Sequence, residues 1–259
     1  MLTFEQVKTY FSDSSNKYLK NILVEYVQCE LLDSLFKYKE SAFLSFIGGT
    51  AIRIVYGGNR FSEDLDFDNF GLSFEGFSLL LEKVVKDMKV KGFFIEFRLV
   101  EKNAYHCYIK FPEILKNAGL SSFSDEKILV RIDTMQKEKV FSPLVSSLNK
   151  FDLYQSILVN PIDILLSQKL ITVLERKREK GRDLYDISFL WGKTKPNFLY
   201  IEKMYGLKWN IFTSKFLTRC LDLDFNMLAK DVEPFLIDTN QSKRVIEFLP
   251  FIQEEFRKL

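Results

Sequence analysis

The run Asp64-Leu65-Asp66-Phe67-Asp68 places a carboxylate at every second position, with apolar residues between. In an extended chain the three aspartates point one way, and Leu65 and Phe67 the other. Carboxylates this close repel one another, so a stable fold normally gives them cations. Just upstream, the apolar run 43–47 ends in Gly48-Gly49-Thr50, ahead of a short helical pattern. Glycines entering a helix offer backbone N–H groups to an anion. Together the two features suggest a site for a metal-bound phosphate. A glycine pair alone marks a turn just as readily. Two alternating aspartates on one face of an apolar strand are costly without partners. Asp64 and Asp66 therefore carry the reading, and Asp68 is set aside as a cap or a helper beside the metal.

A second set lies in 160–190. Asn160 reads as an N-cap, Pro161 as a first helical residue, and Asp163 suits the positive end of the helix dipole. Ile162, Leu165, Leu166, Leu170 and Val173 form an apolar stripe, and Lys169 falls near its middle. A lysine there either runs its stem out to water or points into a lined cleft. Asp183 and Asp186 are three apart, hence on one helix face. The intervening stretch from Glu175 to Arg182 is strongly charged; it reads as a solvated helix end or as a basic rim for triphosphate or RNA backbone. Asp133 closes a strand and faces away from its apolar side. No motif surrounds it. His106, the only histidine, has no Ser or Cys constellation around it and reads as structural.

Holding these residues takes an α+β chain. Short strands are expected at 43–47, 65–67, 93–100, 104–111, 128–133 and 154–159, with helices at 2–10, 16–40, 51–56 and 73–91. Alternation at Ile128, Val130 and Ile132 marks the fifth strand, and Glu101-Lys102-Asn103 suits a hairpin. Residues 121–127 and 136–149 read as loops. After Pro161 the pattern is helical to the end, in segments 161–177, 182–191, 198–205, 215–220, 225–229 and 241–258. The shift from strands to helices predicts two domains, 1–155 and 156–259, the second closing a nucleotide cleft.

Composition is that of a globular protein: 259 residues, 47% apolar and 28% charged, with 26 phenylalanines for the core. A formal charge of +2 does not by itself argue for nucleic acid. Three scattered cysteines, Cys29, Cys107 and Cys220, give neither a zinc spacing nor a disulfide framework. No basic-then-apolar leader opens the chain and no apolar run reaches about 18 residues. A cytoplasmic protein with no membrane partner is the expectation.

Residues 43–68 resemble the signature of DNA polymerase β-like nucleotidyltransferases: an apolar residue, Gly-Gly, a spacer, then Asp-x-Asp between apolar residues. More narrowly, GGTAIRIVYGGNRFSEDLDFD is similar to the abortive-infection AbiEii/AbiGii toxin family, with its GGTAL and RxSxDLDF blocks. Arg60, Ser62, Asp64, Leu65, Asp66 and Phe67 all fit. The likeness extends to Lys169, a helix, then Arg182, Asp183 and Asp186. It implies an N-terminal polymerase β-like domain with a mixed sheet and flanking helices, followed by a mostly helical domain. It further implies transfer of a nucleoside monophosphate from an NTP, with one or two Mg²⁺ ions (or Mn²⁺) held by Asp64, Asp66 and a later-strand carboxylate, for which Asp133 is the candidate. Gly48, Gly49, Thr50, Arg60, Ser62, Lys169 and Arg182 would bind the nucleotide. Asp183 would orient Lys169 or Arg182, or assist the acceptor hydroxyl. The acceptor implied is an RNA, a tRNA 3′ end, and the system that of a toxin with a cognate antitoxin in phage defence. A small-molecule or protein nucleotidyltransferase on the same scaffold, and an inactive nucleotide-binding module, are the alternatives.

Overall fold

The computed structural model describes residues 1–11, 17–123 and 125–259. The expected helix start at 16 and part of the 121–127 loop lie outside them. The elements in order are α1 (Phe4–Lys8), α2 (Leu19–Leu35), β1 (Leu44–Ile47), α3 (Gly48–Ile54), β2 (Leu65–Asn69), α4 (Phe74–Val90), β3 (Glu96–Glu101), β4 (Tyr105–Phe111), α5 (Ile114–Asn117), β5 (Ile128–Gln136), β6 (Leu144–Lys150) and β7 (Leu153–Val159). Helices follow: α6 (Ile162–Glu175), α7 (Gly181–Trp191), α8 (Phe198–Tyr205), α9 (Trp209–Leu221), α10 (Phe225–Val232), α11 (Lys243–Ile246) and α12 (Phe248–Arg257). Strands in the first 160 residues and helices thereafter is the expected α+β organisation.

Two units divide the chain: 1–55 with 61–160, and 56–60 with 161–259. The break after Asn160, rather than at 155, follows from β7. That strand runs to Val159, and the Asn160 N–H still donates to the Phe46 carbonyl at 3.1 Å. The Asn160 side chain does not cap α6. Its amide donates to Asp68 Oδ2 at 2.7 Å and accepts from Ser45 Oγ at 2.6 Å, all buried. Pro161 takes the cap position without a side-chain bond.

The first unit is a seven-stranded mixed sheet in the order β3-β4-β5-β2-β1-β7-β6. β1 and β2 lie near its middle, antiparallel to each other and flanked by parallel partners, β7 beside β1 and β5 beside β2. α4 is amphipathic: Phe77, Leu80, Leu81, Val84, Val85 and Met88 are buried, and Ser73 Oγ caps its start by accepting from Gly76 N. α2 is buried nearly all round, polar residues included. Its charges survive burial because each is paired: Glu25 with Arg53 and Lys150, Glu30 and Asp33 with Lys91.

Residues 144–150 form β6, although 136–149 read as a loop. Ser146, Ser147 and Asn149 weaken the strand pattern, and the strand sits at the sheet edge, where one-sided pairing to β7 and exposed side chains suffice. The expected C-terminal helix 241–258 is broken between α11 and α12 at Glu247. Pro250 is the reason, since its ring clashes with the carbonyl four residues back and tolerates only a first helical turn.

In the second unit, α7 starts against α10. A Cβ on Gly181 would lie 1.8 Å from the Leu228 carbonyl oxygen, so only glycine permits that approach. The Gly181 N–H donates to Asp231 Oδ2 at 2.9 Å. Among the described residues no helix is long and apolar enough to cross a membrane.

Candidate active site

Strand register assembles the carboxylates. Asp66 of β2 pairs with Asp133 of the parallel β5, and Asp133 pairs with His106 of the antiparallel β4. Directly opposed residues share a sheet face, so these three line up across neighbouring strands. Asp64 immediately precedes β2. Arg131 is two residues before Asp133 and so projects from the same face. Its Nη2 donates to Asp64 Oδ2 at 2.9 Å, and its Nε lies 2.7 Å from Asp133 Oδ2. His106 Nδ1 holds the other oxygen, Oδ1, at 2.8 Å. One guanidinium thus spans two carboxylates, and one carboxylate is fixed at both oxygens.

The electrostatics follow. Burial raises the Asp64 carboxyl above its ordinary pKa; Arg131 opposes this, while Asp133 and Glu63 reinforce it. For Arg131, burial disfavours the charge, but Asp64, Asp133 and Asp66 outweigh it and hold the guanidinium protonated.

Gly48 is tied to Asp66. Its φ is +77°, and a Cβ there would lie 2.4 Å from Asp66 Oδ2. Backbone conformation and side-chain space both demand glycine at the point where α3 leaves β1. Gly49 and Thr50 are buried beside it. The Thr50 hydroxyl, expected at a phosphate, donates instead to the Asp64 backbone carbonyl and so anchors the approach to β2. Gly48→Ala is expected to cost about 1–2 kcal/mol of stability for the left-handed backbone. Displacing Asp66 should also slow turnover by about a hundredfold. Urea unfolding and a transfer assay on the same preparation check both; a variant as active as wild type would sever the link between Gly48 and Asp66.

Asp68, on the same face by alternation, is buried and bound to Asn160. It belongs to the core. Ser62 is half-buried, and its carbonyl accepts from Gln28 Nε2 at 3.1 Å.

The residues present fit Mg²⁺ in one specific way. Among the described residues no three His, Cys, Asp or Glu groups converge into a protein-only cage. Mg²⁺ seldom needs one: it takes one or two carboxylates and completes its shell with water and substrate phosphates. Asp64 and Asp133, close enough to share one guanidinium, offer hard oxygen donors of that kind.

The remaining expected residues lie in the second unit. Lys169 Nζ sits 2.9 Å from Asp183 Oδ1 and 2.8 Å from Asp186 Oδ2. Burial lowers the pKa of its amine, but Asp183 and Asp186 outweigh both burial and the nearby Arg60 and hold it above the ordinary lysine range. It is charged and 14% exposed, and it is paired with two carboxylates rather than standing alone in a cleft. Arg60, carried into this unit by the 56–60 segment, is 3% exposed and grips Asp186 with two bonds of 2.6 Å, from Nε and Nη2. It was expected at the triphosphate; here two of its donors serve Asp186. Its backbone also bridges to Leu236, and Asn59 O accepts from Ile237 N. Asp183 is completed by Arg176 Nε at 3.1 Å. Arg182 lies over the Phe235 ring, 4.5 Å from its centroid.

The family described as nucleotidyl transferase AbiEii toxin, of a type IV toxin–antitoxin system, matches residues 30–244. The chain belongs to that family. It is accordingly a nucleotidyltransferase of the AbiEii toxin class. Solved structures share its fold. MenT4, a nucleotidyltransferase toxin from Mycobacterium tuberculosis, superposes with a TM-score of 0.60 at 16% identity, over 100% of this chain and 93% of that one. JHP933 from Helicobacter pylori gives 0.54 at 17% identity, over 92% and 94%. No curated protein matches the chain.

Two residues of this cluster, Arg131 and His106, lie outside the set expected from sequence. From sequence His106 reads as structural, and no motif marks Arg131. Their alternation with Asp133 and with Tyr108 was visible, but which strands neighbour one another was not.

Proposed function

We propose that the chain moves a nucleoside monophosphate from an NTP to the 3′ hydroxyl of an RNA, a tRNA, in a Mg²⁺-dependent reaction. The observation that carries this reading is the alignment of Asp66 with Asp133 across β2 and β5, with Asp64 bound to the same guanidinium as Asp133. Family membership supplies the reaction class.

In this reading Asp64, Asp66 and Asp133 would supply the carboxylates for one or two Mg²⁺ ions, one or two to each ion; bound metal would screen the triphosphate and make the acceptor hydroxyl more acidic. The hydroxyl oxygen forms a bond to the α-phosphorus, the bond from that phosphorus to the bridging oxygen breaks, and pyrophosphate leaves. Asp133, oriented by His106 and Arg131, receives the hydroxyl proton. Gly48 and Gly49 present backbone N–H groups to phosphate oxygens. Lys169, fixed and kept charged by Asp183 and Asp186, is the cation assigned to the nucleotide, with Arg182. Arg60 acts by positioning Asp186.

An RNA acceptor is favoured by the stretch from Arg176 to Arg182. Residues 175–178 are exposed, Glu179 is taken by Arg219 and Arg176 is paired with Asp183, so Lys177 and Arg178 are the exposed cations the loop offers to a phosphate backbone. The test is transfer from each α-labelled NTP, with Mg²⁺, to total tRNA. Label at the tRNA 3′ end for one or more NTPs is the expected result. Label on a small molecule or protein instead, or on nothing, overturns the acceptor assignment.

A further inference from the structure

Arg131 is placed unlike Lys91, Arg53 and Lys150. Those three each neutralise buried carboxylates of α2 and belong to the packing. Arg131 instead comes from β5 onto the face that carries Asp64, Asp66 and Asp133. Its own side chain is 40% exposed, and those of Asp64 and Asp133 are 34% and 21% exposed. The carboxylates it binds therefore remain accessible. The guanidinium reaches one oxygen of each of Asp64 and Asp133, and so lies where it draws the two together.

We propose that Arg131 is a resident counter-cation. It holds Asp64 and Asp133 at metal-binding separation in the empty enzyme, and it competes with a divalent ion for the same oxygens. Loading then requires the guanidinium to give up Asp64 Oδ2 or Asp133 Oδ2, which suits an incoming triphosphate: its charge both recruits the metal and offers Arg131 a replacement anion. The empty site is thereby biased against metal alone and towards metal with nucleotide. His106 keeps Asp133 in place through Oδ1 while Oδ2 changes partner.

The inference rests on the assignment of Asp64, Asp66 and Asp133 to the metal, and the test separates the two. Mn²⁺ binding to the full chain is measured by electron paramagnetic resonance, with and without a non-hydrolysable NTP analogue, in wild type, Arg131→Met, Arg131→Lys and Asp66→Asn. Without nucleotide, Arg131→Met should bind Mn²⁺ about two- to fivefold more tightly than wild type, the scale of a half-exposed ion pair. Arg131→Lys, which keeps the charge, should stay near wild type. The gain from adding nucleotide should shrink in Arg131→Met. A change of packing alone would not follow the charge at position 131 in this way. Equal or weaker Mn²⁺ binding in Arg131→Met, with binding still abolished by Asp66→Asn, overturns the counter-cation and leaves the metal site standing. Binding that ignores Asp66→Asn, with nucleotide present, overturns the metal assignment itself. Should Arg131→Met fail to fold, Arg131→Gln takes its place under the same criteria.

Discussion

Asp66→Asn is expected to cut nucleotidyl transfer by about a thousandfold or more, while the protein stays as stable as wild type. The activity loss follows from its place. Asp66 is aligned with Asp133 across β2 and β5, and its Oδ2 lies against the Gly48 backbone, where α3 begins. An amide keeps the shape but loses the charge, and a neutral oxygen is a poor ligand for a hard dication. Losing one charged contact to a phosphoryl-type transition state commonly costs several kcal/mol. Stability should hold because the change relieves repulsion beside Asp64 and Asp133, the two carboxylates that Arg131 binds. Single-turnover transfer from α-labelled NTP, run beside thermal unfolding, checks both halves. Transfer at the wild-type rate would remove Asp66 from the reaction.

Asp186→Ala should be the most destabilising single change, costing about 3–5 kcal/mol of a total that is ordinarily about 5–15. Asp186 is 1% exposed, and it neutralises two buried cations at once, Arg60 through two bonds and Lys169 through a third contact. Alanine would leave both charges in a dry environment with Asp183 as the nearest acid. Burial alone would raise the Asp186 carboxyl; Arg60 and Lys169 outweigh it and hold the group below its ordinary pKa. A folded pKa below the unfolded one means stability that is present above the ordinary aspartate range and lost as pH falls through the depressed value. Asp183→Ala should cost less, because Lys169 keeps Asp186 and the released Arg176 is 40% exposed. Urea unfolding of the two variants at neutral pH and near pH 3 measures the order. If Asp183→Ala proves the more damaging, the pair with Arg60 is not the anchor of the second unit.

Local pattern carried a large part of this protein. The alternation of Asp64 to Asp68, the amphipathic stripe of α4 and the change from strands to helices near residue 160 all depend on neighbours a few residues apart. Side-chain period and turn chemistry express such neighbours directly. The family blocks are equally local, and they lead to the family whose match spans residues 30–244. Weak or edge elements were harder to read. β6 needed its partner β7 to become a strand, and the end of α11 needed Pro250 to be weighed against its preceding turn.

What only the tertiary structure decided is which charges meet. Asp64 and Arg131 are 67 residues apart in sequence and touch because β2 runs parallel to β5. Arg60 and Asp186 are 126 apart and meet because residues 56–60 leave the sheet unit for the helical one. Sequence supplied the residue types, including a lysine in the middle of an apolar stripe. Pairing them is a long-range matter: a charge takes whichever opposite charge the fold buries beside it, and periodicity along one element says nothing about the element next to it.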